Sequence, residues 1–170
     1  MIRDIIISIL QFIILVAAQV FLLDNINLLG YINPMLYIWF IIMLPHNTPK
    51  WLVLISSFLL GIAVDVFSAD IGINATICVL IGFLRPILLN AFSGNIDDNS
   101  SQRPSMSTLG FMNFFLYTSI IVLIHHTFYF IIETFAWDEF LQVIVRILLS
   151  SIVTIILILL LDMIFFKKKE

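Results

Sequence analysis

Long apolar runs separated by short polar punctuation organise this chain, and they cover residues 5–23, 28–44, 51–67, 71–92, 109–132 and 141–166. A helix rises about 1.5 Å per residue, so crossing a hydrocarbon core of roughly 30 Å takes about 20 apolar residues. The pattern predicts an all-α integral membrane protein of about six transmembrane helices, a single polytopic membrane domain over residues 1–170 with no soluble domain.

The second run is the weakest span. Asn33 followed by Pro34 reads as an N-cap and first helical residue, which leaves a helix of only about 16 Å before Leu44, a short or re-entrant element. Charge placement restores it. With six crossings Arg3, Lys50, Arg103, Lys167, Lys168 and Lys169 share one side, while Asp24, Asp70, Glu133, Asp138 and Glu139 share the other. That is the positive-inside pattern, with both termini cytoplasmic. Without the second crossing only Arg3 would remain inside. Val16-Ala17-Ala18 resembles a signal-peptide cleavage site, but the apolar run continues to Leu23, so a retained first span is expected.

Composition agrees. Hydrophobic residues make up 62% and charged residues 11%, far from the roughly half and quarter of a soluble domain. The net charge of -3 provides no basic surface for nucleic acid. Cys78 is the single cysteine, which excludes an intrachain disulfide or a CxxC pair, and no phosphate-cradling GxxxxGK[ST] or GxGxxG motif occurs. Residues 93–108, rich in Ser and Asn, form a cytoplasmic loop too small for a domain.

Spans three and four read as an antiparallel hairpin whose facing sides carry small residues. Ser57, Gly61 and Asp65 recur at i, i+4, i+8, and Ala75, Cys78, Gly82 and Arg85 follow helical spacing. Small residues let two backbones approach where lipid removes the hydrophobic drive for association. Pro86 deletes a backbone hydrogen bond to Gly82, so a kink is expected there.

Charged residues inside a span cost at least about 2.5 kcal/mol and call for a partner or a route to water. Asp65 and Arg146 lie at similar depth from the outer side, so an Asp65–Arg146 pair is one expectation; the alternative is that Arg146 snorkels and Asp65 caps its span. Arg85 is expected to snorkel to the cytoplasmic headgroups or to join an ion pair. Asp162 has its simplest partners in Lys167 to Lys169, which also anchor the chain to anionic lipid.

Adjacent His125 and His126 point about 100° apart, and His126 shares a face only with Glu133. Two ligands fall short of a zinc site, and neither HExxH nor GxSxG is present, so no metal, cofactor or catalytic site is expected. Trp51, Tyr31 and Trp137 near span ends read as interfacial belt residues.

The stretch Gly61-Ile-Ala-Val-Asp65-Val-Phe67-Ser68, continuing through Gly72-Ile-Asn-Ala75, resembles the signature of the MreD rod-shape-determining proteins. Asn33-Pro34, Pro45, Thr48-Pro49 and Phe83-Leu84-Arg85-Pro86 are similar to that family's punctuation, and the likeness runs over roughly residues 5–165. Ile71 departs from it, standing where a proline is expected before the glycine. The resemblance implies a non-catalytic scaffold of the cell-elongation machinery in the bacterial inner membrane. Its implied partners are MreC, MreB filaments, a RodA-type glycosyltransferase and a class B penicillin-binding protein. It also implies that Gly61, Asp65, Arg85 and Pro86 serve the fold or docking. With Ser57, Gly72, Gly82 and Arg146 these are the candidate structural or docking residues, and the Ser57 and Gly61 face is the expected groove for the single transmembrane helix of MreC.

A second reading, the substrate-binding subunit of an ECF-type vitamin transporter, fits the size and span count. It expects an AxxxA docking motif on the first span, and neither Ala17 nor Ala18 has an alanine four residues away. A third, an intramembrane hydrolase, rests only on His125, His126, Glu133 and Asp65.

Overall fold

The computed structural model describes residues 2–24, 32–68, 72–94, 101–134 and 140–166. Helix α1 (Ile2–Ala18) runs into a π-helical turn at Gln19–Leu23. It is followed by α2 (Ile38–Ile42), α3 (Lys50–Ser68), α4 (Ile73–Phe92), α5 (Met106–Leu109), α6 (Phe111–Thr134) and α7 (Phe140–Phe165). Among the described residues five helices are long and apolar enough to cross a membrane: Ile6–Leu23, Lys50–Ser68, Ile73–Phe92, Phe111–Thr134 and Phe140–Phe165. Their outward faces present large apolar side chains such as Ile13, Leu59, Phe83, Leu141 and Ile164. Such a surface is stable against hydrocarbon and not against water. The chain is an all-α, multi-pass membrane protein.

The second apolar run differs from a spanning helix. Residues 33–35 are irregular, α2 is five residues long, and residues 37–44 are all buried within the bundle. Prolines at 34 and 45 bracket the helix and limit its length. The segment nevertheless advances through the middle of the bundle toward its opposite end. It begins level with Gln19, whose amide bonds the backbone of Pro34 and Leu36. It ends at Met43, whose carbonyl accepts from Arg103, and the same guanidinium reaches Ser8 and Gln11 in the first half of α1.

Other contacts fix the two ends. Ser68 at the end of α3 donates to Asp24 at 3.2 Å, and Arg146 near the start of α7 meets Glu133 near the end of α6 at 3.1 Å. At the opposite end the Met106 N–H donates to Asp162 at 2.9 Å. The chain therefore alternates between the two ends of the bundle, and its second passage is made by a broken, protein-enclosed segment and not by a spanning helix.

The α3–α4 hairpin packs very closely. A Cβ on Gly61 would stand 2.3 Å from the Ala75 Cα, and one on Gly82 would stand 2.6 Å from the Ser57 Oγ. Both distances are below any real contact, so glycine at these positions sets the helix separation. Gly72, at φ 79°, adopts the left-handed conformation that turns the chain into α4. Ile71, where the family pattern expects proline, lies outside the described residues.

Candidate functional site

The broken crossing sets a physical problem. Backbone N–H and C=O groups without a helix ladder are costly at membrane depth unless protein groups satisfy them. Side chains from the surrounding helices do so here. The Asn33 and Met35 N–H groups donate to Ser150 Oγ at 3.0 Å and Thr154 Oγ1 at 3.1 Å. Gln19 accepts from the Leu36 N–H at 2.8 Å through Oε1 and donates to the Pro34 carbonyl at 3.0 Å through Nε2. At the other end Tyr117 donates to the Ile42 carbonyl, Arg103 to that of Met43, and Arg85 to that of Leu44. The π turn at Gln19–Leu23 sits at this point of contact, in keeping with the tendency of such turns to mark specialised positions.

Ser150, Thr154, Ile158 and Asp162 form a stripe at i, i+4 spacing along the buried side of α7. The sequence reading missed this stripe. Its signal was present in Ser150, Thr154 and Asp162, polar residues on one helical face of an otherwise apolar span.

Asp65 performs a different task. Its carboxylate accepts from the Asn74 N–H at 3.0 Å, the Ala75 N–H at 2.9 Å and the Asn74 side-chain amide at 3.0 Å. Gly72 offers no side chain to cap α4, so the cap comes across the hairpin from α3. A carboxylate at a helix N-terminus also faces the positive end of the helix dipole. This accounts for the motif physically: Gly61 lets the first turn of α4 approach, and Asp65, one turn on, receives its free N–H groups.

The expected Asp65–Arg146 pair is therefore not formed. Arg146 bonds Glu133 at 3.1 Å and lies 4.6 Å from the centre of the Phe130 ring. Arg85 does not snorkel, and among the described residues it pairs with no acid; it is 2% exposed, with its guanidinium on the Leu44 carbonyl and beside the Tyr117 hydroxyl. Asp162 takes the Met106 N–H at the start of α5, while Lys167 to Lys169 lie outside the described residues. The Ser57 and Gly61 face cannot receive a helix of MreC, because α4 already fills it. Pro86 lies within α4, which continues to Phe92. Trp51 is exposed at 63%, whereas Tyr31 and Trp137 lie outside the described residues.

The two histidines are buried in directed hydrogen-bond chains. Tyr37 donates to Asn74 Oδ1 at 2.6 Å, so His125 Nε2, 3.0 Å away, must carry the proton it gives to the Tyr37 oxygen. Asp65, Asn74, Tyr37 and His125 thus form one line across α3, α4, the broken crossing and α6. Thr154 accepts from the Met35 N–H and donates to His126 Nε2 at 3.3 Å; His126 Nδ1 donates to the Val122 carbonyl at 2.9 Å. Among the described residues no group of three or more His, Cys, Asp or Glu converges as a metal site would require.

Above this line lies a cavity of about 250 Å³. Its mouth is at Asp24, Ser68 and Glu133; its walls include Gln19, Asn33, Val64 and Tyr129, and its floor Met35, Tyr37 and Asn74. A larger groove of about 780 Å³ between α1 and α3 is walled by residues such as Ile9, Phe12, Phe40, Leu44, Leu52 and Leu59. Hydrocarbon can fill that groove, but the polar cavity calls for water or a polar ligand.

No protein-family model, curated protein or solved structure matches this chain, so its likeness to the MreD family rests on the motif residues themselves.

Proposed function

We propose that the chain is a non-catalytic membrane scaffold of the bacterial cell-elongation machinery. It sits in the inner membrane with both termini cytoplasmic and docks MreC, bringing MreB, a RodA-type glycosyltransferase and a class B penicillin-binding protein into one assembly. One observation carries the reading: the motif residues are consumed in building the bundle. Gly61 and Gly82 set the hairpin separation, Asp65 caps α4, and Arg85 ties α4 to the end of the broken crossing. Groups spent on backbone atoms in this way serve a fixed shape, which a scaffold needs. Because the small-residue seam is closed by α4, the partner's helix docks on the apolar exterior in this reading.

Depletion in the native host tests the proposal. Rounded cells and loss of co-purifying MreC are the expected results. Normal shape together with a vitamin requirement overturns it in favour of the transporter subunit.

A further inference from the structure

We propose that the polar cavity at the Asp24 end of the bundle is a water-accessible site for a small organic ammonium ion. The inference is independent of the elongation role, because it concerns only what this cavity admits.

Charge gives the first argument. Asp24 and Glu133 line the cavity, and among the described residues neither Lys nor Arg does. Among the described residues the hydrogen-bond donors to Asp24 are neutral, the Gln19 amide at 2.7 Å and the Ser68 hydroxyl at 3.2 Å, so its charge is not compensated by them. Arg146 offsets Glu133 at 3.1 Å from outside the lining. Asp65 stands behind Asn74, its charge met by three N–H donors at the N-terminus of α4, so it brings no positive charge to the cavity. His125, behind Tyr37, presents its proton to the tyrosine oxygen and not to the cavity. The field inside is accordingly negative, and low-dielectric walls focus it.

The shape of the lining gives the second argument. The rings of Tyr37 and Tyr129 share the cavity with the carboxylates, and Tyr129 is held parallel to His125 with ring centres 6.5 Å apart. Aromatic faces beside a carboxylate are a recurring surround for organic ammonium groups. A cavity of about 250 Å³ has room for a small organic ammonium ion together with water. A polar cavity at this depth is filled by something polar in any case; the charge and the two rings select a cation.

Cysteine accessibility tests the proposal on the full chain in detergent micelles, where both ends are open to reagent. The native thiol, Cys78, is fully buried, and Cys78→Ala removes it as background. Ser68→Cys then places a thiol at the mouth, and Ser101→Cys provides an exposed reference at the other end. The probes are the 2-aminoethyl and 2-sulfonatoethyl methanethiosulfonates. After normalisation to Ser101→Cys, the cationic reagent should label Ser68→Cys at least about tenfold faster than the anionic one. Asp24→Asn and, separately, Glu133→Gln should each reduce that preference, so the test survives if one variant fails to fold. Tetramethylammonium chloride should slow cationic labelling more than sodium chloride at equal ionic strength. A normalised ratio near one, or no labelling of Ser68→Cys in folded protein, overturns the site. Preference without protection by tetramethylammonium overturns organic-ammonium binding and leaves a water-filled vestibule.

Discussion

The Asp65 carboxylate on α3 receives the backbone N–H of Ala75 at 2.9 Å, so the first turn of α4 is capped by a residue ten positions earlier in the chain. Replacing Asp65 with Ala should destabilise the protein by about 2 kcal/mol, because two buried N–H groups lose their acceptor. Asp65→Asn should cost less, since its single carbonyl oxygen still accepts. Thermal unfolding in detergent ranks the two; equal midpoints for wild type and Asp65→Ala would remove the cap from the account.

Asp65 and Arg146 do not touch, so exchanging their charges gives no rescue. The double variant Asp65→Arg with Arg146→Asp should be at least as poorly folded as Asp65→Arg alone, read as monodisperse protein after gel filtration. Restored yield would contradict the present geometry.

The hairpin seam predicts a specific coupling. Gly82→Ala places a methyl group 2.6 Å from the Ser57 Oγ and should cost about 1–3 kcal/mol. Adding Ser57→Gly removes the obstructing atoms and should recover much of that loss. Gly61→Ala has no such remedy, because the obstruction is the Ala75 backbone itself. A double-mutant cycle in thermal stability checks both statements.

Gln19 supplies both a donor and an acceptor to the broken crossing. Gln19→Leu leaves the Pro34 carbonyl and Leu36 N–H without partners and should destabilise by about 2 kcal/mol or more. Gln19→Glu should do no better: it loses the donor and sets a second carboxylate where the amide now meets Asp24 at 2.7 Å. Both variants can be read by denaturation against wild type.

Side-specific reporters test the path of the chain. Insertions at Ser101 and after Phe166 should report one side of the membrane, and an insertion in the 135–139 connection the other. Ser101 and Phe166 on opposite sides would break the alternation that the broken crossing preserves.

Much of this architecture follows from the sequence alone. Apolar run length determined the spanning helices, charge placement gave the expectation that the short second run still passes between the ends of the bundle, and helical spacing of Ser57, Gly61, Ala75 and Gly82 determined the hairpin seam. These are local or periodic properties, and a helix in lipid obeys them whatever its neighbours. Tertiary structure alone decided what the polar residues bind. The sequence prompted pairing of charge with charge, Asp65 with Arg146, whereas Asp65, Arg85 and Asp162 all meet backbone groups. Backbone N–H and C=O groups are the same at every position and leave no mark in a sequence. Which of them go unpaired is settled only when a proline-bracketed segment crosses the bundle without a full helix and its neighbours must complete its hydrogen bonds.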